Sequence, residues 1–266
     1  MTIDSEIQGL WRISQNTGDL YPLRRPGASY FVEQALAPAD LYMATQTFRD
    51  AEREQLSMLA AVEKKTLIRL ARRMPPWVNS DHLTVLGFLA MFAAGVLYWA
   101  AGRDRRALLG VILALAVNWF GDSLDGTLAR VRNRLRPRYG FYVDHISDAI
   151  GTFFLLGGLG LSGYMSLPVA LCLLIFYFLL SIEVYLTTYT IGTFHLSFWS
   201  FGPTELRLLL CIGNIALFYY PVVGLFGRRF LLFDVGGVIG IAGMAMMLVW
   251  AAARHTRELY NAERLK

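Results

Sequence analysis

Beyond about residue 80 the chain reads as long apolar runs broken by short polar clusters. Six stretches reach or approach the ~20 residues that a helix needs to cross a bilayer. They are residues 83–101, 107–121, 146–165, 168–190, 206–226 and 231–253, and the second continues into polar sequence. A different pattern precedes them. Leu59, Val62, Leu67, Leu70 and Met74 recur at helical spacing, with Lys64, Lys65, Arg69, Arg72 and Arg73 filling much of the rest. That spacing predicts a basic amphipathic helix lying in the membrane interface, its cations near anionic headgroups. Pro75 and Pro76 end it, because proline cannot continue a helix. The pattern as a whole predicts an all-α integral membrane protein of about six transmembrane helices, preceded by the interfacial helix. The expected divisions are 1–57, an N-terminal extension of mixed composition without a motif, 58–76, the amphipathic helix, and 77–266, the membrane domain.

Composition agrees. Of 266 residues, 55% are hydrophobic and 17% charged, against about 45–50% apolar and about 25% charged in soluble domains. This excludes a disordered chain and argues against an ordinary soluble enzyme. The two cysteines, Cys172 and Cys211, lie in apolar stretches with no metal or disulfide spacing, and are expected to be small buried hydrophobes. No basic segment followed by an apolar core opens the chain, so no signal peptide is expected.

The net charge of +5 matters through its placement. The basic residues cluster beside apolar spans, which points to lipid headgroups or an anionic substrate and not to nucleic acid. Before the first span stand the cations of the amphipathic helix. Arg130, Arg132, Arg134, Arg136 and Arg138 lie between the second and third spans, and Arg254, Arg257, Arg264 and Lys266 follow the sixth. The opposite flanks hold Arg103, Arg105, Arg106, Arg228 and Arg229. The positive-inside rule therefore predicts both termini in the cytoplasm.

Chemistry concentrates in GDSLDGTLARVRNRLRPRYGFYVDHISDAIG. Asp122 and Asp125 are three apart at the cytoplasmic end of the second span, on one side of a continuing helix together with Gly126 and Ala129. Asp144 and Asp148 are four apart at the start of the third span, one turn after Gly140. A hairpin through the basic loop should bring all four carboxylates to one depth. Four unpaired carboxylates there would repel one another strongly. Hard divalent cations, Mg²⁺ or Mn²⁺, answer that charge, and two ions would balance four carboxylates and grip a pyrophosphate. Arg130 could pair with a phosphate. The plainer alternative is four solvated acids bridged to the arginine-rich loop.

These positions resemble the signature of the CDP-alcohol phosphotransferases, D-x-x-D-G-x-x-A-R followed by G-x-x-x-D-x-x-x-D. Asp122, Asp125, Gly126, Ala129, Arg130, Gly140, Asp144 and Asp148 fill all of its fixed positions, with nine residues between Arg130 and Gly140. Leu83, Thr84 and Gly87 also resemble the family's opening, although Asp81-His82 stands where Pro-Asn is usual. The resemblance implies a phospholipid-synthesising transferase, in which an alcohol hydroxyl attacks a CDP-linked donor and CMP leaves. It implies Asp122, Asp125 and Asp144 as metal ligands, and Asp148 as ligand, general base or both. It also implies that Gly126, Ala129, Arg130 and Gly140 line the CDP pocket. The expected partners are a CDP-linked donor, an alcohol acceptor and membrane lipids; a homodimer stays open.

Donor and acceptor stay open too. Asp144-His145 and Thr204-Glu205 resemble the branch using CDP-amino alcohols, where Glu205 or His145 would help deprotonate the acceptor hydroxyl. Arg207 instead suits a phosphorylated acceptor of the branch using CDP-diacylglycerol. Glu183, Thr187 and Tyr189 fall in the cytoplasmic half of the fourth span. Ionisable groups there are functional candidates, with an interhelical hydrogen bond as the alternative for Glu183. Helix N-terminus stabilisation is the corresponding alternative for Glu205. Two rival classes are an intramembrane prenyltransferase and a proton-coupled transporter. The first lacks the Gly-x-x-Ala-Arg element, and the second would favour broken helices in two halves.

Overall fold

The computed structural model describes residues 11–13, 20–22, 52–54, 60–191, 193–195 and 203–264. The chain forms two compact units, Met1–Arg49 and Asp50–Lys266. The described part of the first is an antiparallel pair, β1 (Trp11–Ile13) and β2 (Leu20–Pro22), with Trp11 opposite Pro22. Most of the extension assigned to residues 1–57 lies outside the described residues, as does Leu59.

The second unit is built from helices: α1 (Ala60–Arg73), α2 (Ser80–Ala101), α3 (Ala107–Val131), α4 (Pro137–Leu161), α5 (Leu167–Thr190), α6 (Pro203–Tyr219) and α7 (Leu232–Ala262). A short parallel pair joins β3 (Glu52–Glu54) to β4 (Thr193–His195). Among the described residues, four helices are long and apolar enough to cross a membrane: α2, α3, α5 and α7. Much of their apolar surface faces outward, as at Leu113, Ile175 and Val249. This is an α-helical membrane protein.

Local chemistry sets the helix ends. The Asn79 side chain accepts from the His82 N–H at 3.1 Å while the His82 ring accepts from the Asn79 N–H, so α2 starts at Ser80. Pro137 opens α4, where a missing N–H costs nothing, and this puts Asp144 and Asp148 well inside a helix that starts before the expected span. The fifth apolar stretch is not one helix to residue 226. Pro221 follows the end of α6, and β5 (Val222–Leu225) with β6 (Arg228–Leu231) makes a hairpin. Its two-residue turn places Phe226 and Gly227 at positive φ, 50° and 74°, as a tight twisted turn requires. The last helix continues beyond the expected apolar span to Ala262.

The apolar side of α1 is covered by protein. Leu67 and Ala71 are buried in one cluster with Leu124 and Leu128 of α3, with Leu70 and Met74 against its edge, while Lys64, Lys65, Arg69, Arg72 and Arg73 are exposed. Cys172 is exposed on α5 and Cys211 half-buried; neither is the buried hydrophobe expected. In a membrane, an apolar side chain needs no protein cover.

α2 is the spine of the bundle. Both α3 and α4 pack along it, far more than on each other. Small residues allow the approach. A Cβ on Gly158 of α4 would sit 1.9 Å from the Gly95 carbonyl oxygen of α2, and one on Gly121 of α3 would sit 2.6 Å from the Leu83 carbonyl oxygen.

Candidate active site

Toward the loop that joins α3 to α4, acidic residues of the two helices meet beside α2. A cleft is lined by Thr84, Gly87, Phe88 and Met91 of α2, by Asn118, Asp122 and Asp125 of α3, and by Asp144, Ser147 and Asp148 of α4. Asp122, Asp144 and Asp148 each bring a carboxylate oxygen within 4.8 Å of the other two. Asp125 lines the same cleft outside that triad. Its carboxylate accepts from Thr84 Oγ1 at 2.6 Å and contacts the Gly126 N–H, and its backbone carbonyl accepts from Ser80 Oγ at 2.9 Å. Three close carboxylate oxygens with a fourth carboxylate beside them suit a hard, oxygen-seeking divalent cation.

The carboxylates are not unpaired, as the charge pattern alone suggests. Arg207 of α6 donates from Nη2 to Asp122 at 2.5 Å and from Nε to Asn118 Oδ1 at 2.7 Å. Asn118 is buried and donates in turn to the Gly87 carbonyl at 3.0 Å. Backbone of α2, amide of α3 and guanidinium of α6 thus form one chain of hydrogen bonds ending on Asp122. The loop arginines serve elsewhere in two cases. Arg132 donates to the carbonyls of Met74, Pro75 and Val78, tying the end of α1 to α3, and Arg136 pairs with Asp81.

Beyond the aspartates α3 offers room. A Cβ on Gly126 would meet nothing within 4 Å, and the same holds at Gly140. Ala129 is half-buried and Arg130 exposed. His145 turns back on its own helix, with Nδ1 2.6 Å from the Phe141 carbonyl, which makes Nδ1 the protonated nitrogen. Its ring lies on Phe141 and against the edge of Tyr185, 3.9 Å from the Asp144 carboxylate. Glu205 lies half-buried in the first turn of α6, two residues from Arg207. Glu183 makes the interhelical contact. It sits 2.6 Å from His255 Nδ1 of α7, and Thr187 completes the trio at 3.0 and 3.1 Å. Tyr189 is exposed.

Sequence reasoning missed Asn118 and gave Thr84 no role at the site. Asn118 carries a usable signal: it is a polar residue one turn before Asp122 within an otherwise apolar run.

A model of the CDP-alcohol phosphatidyltransferase family matches residues 77–254. The chain is also similar to the archaetidylinositol phosphate synthase of Pyrococcus horikoshii, 28% identical over 121 residues. That match spans 45% of this chain and 61% of the relative's length.

Proposed function

The chain belongs to the CDP-alcohol phosphatidyltransferase family, and we propose that it joins a CDP-linked donor to an alcohol hydroxyl with release of CMP. As a member it is a membrane transferase of phospholipid biosynthesis. The observation that carries the specific reading is the triad of Asp122, Asp144 and Asp148, with Asp125 beside it on the same cleft.

In this reading the four aspartates hold one or two divalent ions, Mg²⁺ or Mn²⁺. Bound there, such ions neutralise a pyrophosphate and stabilise charge on the transferring phosphoryl group. Gly126, Ala129 and Gly140 leave space for the nucleotide, and Arg130 supplies a cation to its phosphates. Asp148 accepts the proton as the acceptor oxygen bonds to phosphorus. The phosphorus–oxygen bond to CMP then breaks, and CMP carries the pair of electrons away. Thr84 keeps the Asp125 carboxylate turned into the cleft.

Two observations favour a lipid-linked CDP donor and a phosphorylated polyol acceptor. Arg207 stands at the carboxylates, where it can meet an anionic acceptor, and the archaeal relative is named for making an inositol phosphate lipid. The other reading, a CDP-amino alcohol donor with His145 or Glu205 assisting the acceptor hydroxyl, rests on His145 lying 3.9 Å from Asp144.

We place α4 and α6 in the membrane as well, which gives six spans with both termini and the cleft on the cytoplasmic side. The cations of α1 then meet lipid headgroups, as the division at residues 58–76 supposes. Exposed apolar faces of α5 and α7 meet lipid or a second copy of the chain.

The test is incubation of the purified protein in lipid with a panel of CDP donors and alcohols. Product mass identifies both substrates, and a chelator should stop CMP release. Asp122→Asn, Asp125→Asn and Asp144→Asn should each abolish release with membrane insertion intact. Activity retained in two of the three would overturn the reading.

A further inference from the structure

Glu63 is a carboxylate of α1 that the reaction above leaves without a role. Its Oε1 accepts three hydrogen bonds from two other helices: Trp119 Nε1 at 2.9 Å and Ser123 Oγ at 3.1 Å from α3, and Thr204 Oγ1 at 2.9 Å from α6. Its Oε2 is buried and has no hydrogen-bond partner among the described residues. Burying a carboxylate oxygen without a partner is costly, so the three bonds on the other oxygen must outweigh that cost.

Where those donors stand gives the carboxylate a purpose. Ser123 directly follows Asp122. Thr204 lies three residues before Arg207, which itself bonds to Asp122 and Asn118. The contacts close a ring: Glu63 to Ser123, along α3 to Asp122, across to Arg207, along α6 to Thr204, and back to Glu63. Farther along, α6 is held to α2 where Asn214 donates to the Tyr98 hydroxyl at 2.7 Å. At the start of the helix, Glu63 adds through Thr204 a contact one turn before that of Arg207, so the first turn is tied to the acidic helix at both positions. That turn also carries Glu205.

We infer that Glu63 is a positioning residue: it sets the start of α6, and through it Arg207, against Asp122. It is not among the residues lining the cleft, and its kinetic consequence rests on the proposed transfer reaction. Glu63→Ala should lower kcat/KM for the acceptor by about 10-fold or more, the loss expected for charge-assisted bonds. Glu63→Gln should recover much of this, because an amide oxygen can accept the same donors. Thr204→Ser should stay within ~3-fold of the starting protein and Thr204→Val should not. In an Arg207→Ala background, Glu63→Ala should cost less than a further ~3-fold, since residues acting through one another are not additive.

A distance measurement makes the test independent of catalysis. Spin labels at Val131→Cys on α3 and Leu208→Cys on α6, with Cys172→Ala and Cys211→Ala, should report a narrow distribution. Glu63→Ala should broaden it and Glu63→Gln restore it. If Glu63→Ala fails to fold, Thr204→Val carries the same measurement. An additive cycle with Arg207, or an unchanged distribution, overturns the inference. Absence of CMP release from the unsubstituted chain with every donor overturns the transfer reaction instead, and the distances still decide the role of Glu63.

Discussion

Thr84 donates to the Asp125 carboxylate at 2.6 Å, and together with the Gly126 N–H this hydroxyl orients the carboxylate. A hydrogen bond to a charged group contributes ~1.5–3 kcal/mol. Thr84→Val keeps the shape and removes the donor, and should lower CMP release ~10–100-fold. Thr84→Ser should stay near the starting rate. Arg207 separates two uses in one set of kinetics. If it meets an acceptor phosphate, Arg207→Ala should raise the acceptor KM by ~10–100-fold, the same bond energy read as binding. If it serves only to hold Asp122, kcat should fall while acceptor KM stays. At this scale the sequence supplied the acidic residues and Arg207. It could not show that Arg207 and Asp122, 85 positions apart, would meet.

Helices meet here through glycine, and two of the glycines should respond oppositely to the same change. A side chain on Gly158 runs into the backbone of α2 at Gly95, and neither backbone can yield without parting the helices. Gly158→Leu should therefore give protein that fails to purify as a monodisperse species. Gly126 has open space around it, so Gly126→Leu should keep a normal unfolding temperature and lose affinity for the CDP donor. Normal donor affinity in that variant would move the nucleotide elsewhere. The loop between α3 and α4 gives a third case. Asn133 has φ of 53°, with the Arg134 N–H bonded to the Ala129 carbonyl and the Asn133 N–H to that of Arg130. This is a left-handed cap in which asparagine stands where glycine is usual. Asn133→Val should destabilise by ~1–2 kcal/mol, because a β-branched side chain is crowded in the left-handed conformation that asparagine tolerates, while Asn133→Gly should be near neutral. Thermal unfolding in lipid distinguishes them.

For the whole molecule, the arrangement of spans fixes which side of the membrane the cleft faces. With six crossings, cysteines placed at Arg134 and Glu263 should react with a membrane-impermeant maleimide from one side. Cysteines placed at Asp104 and Gly227 should react from the other, in a chain whose native cysteines are replaced. Labelling of Arg134→Cys and Asp104→Cys from the same side would rule out the six-span arrangement. If the basic flanks set the direction, through the cost of moving arginine across the bilayer, Arg134→Cys and Glu263→Cys should label from the cytoplasmic side.

Hydropathy and backbone geometry are local properties, and what they govern was readable from the chain. The helices of the bundle, the stop at Pro75-Pro76 and the spacing that puts Asp122 near Asp125 and Asp144 near Asp148 all follow from neighbours a few residues apart. The apolar run through Tyr219 and Phe226 misled, because hydropathy does not distinguish a helix from a short hairpin that Pro221 and Gly227 turn aside. Convergence belongs to the tertiary structure. The sequence suggested a hairpin in which α3 and α4 lie together, yet each lies along α2, whose Thr84 and Gly87 help line the cleft between their aspartates. Glu63 meets Thr204 across 141 positions, and Asn118 joins Gly87 to Arg207. None of these meetings has a local signal, because each depends on how closely two backbones can approach, and a residue's side-chain pattern does not encode its partner on another helix.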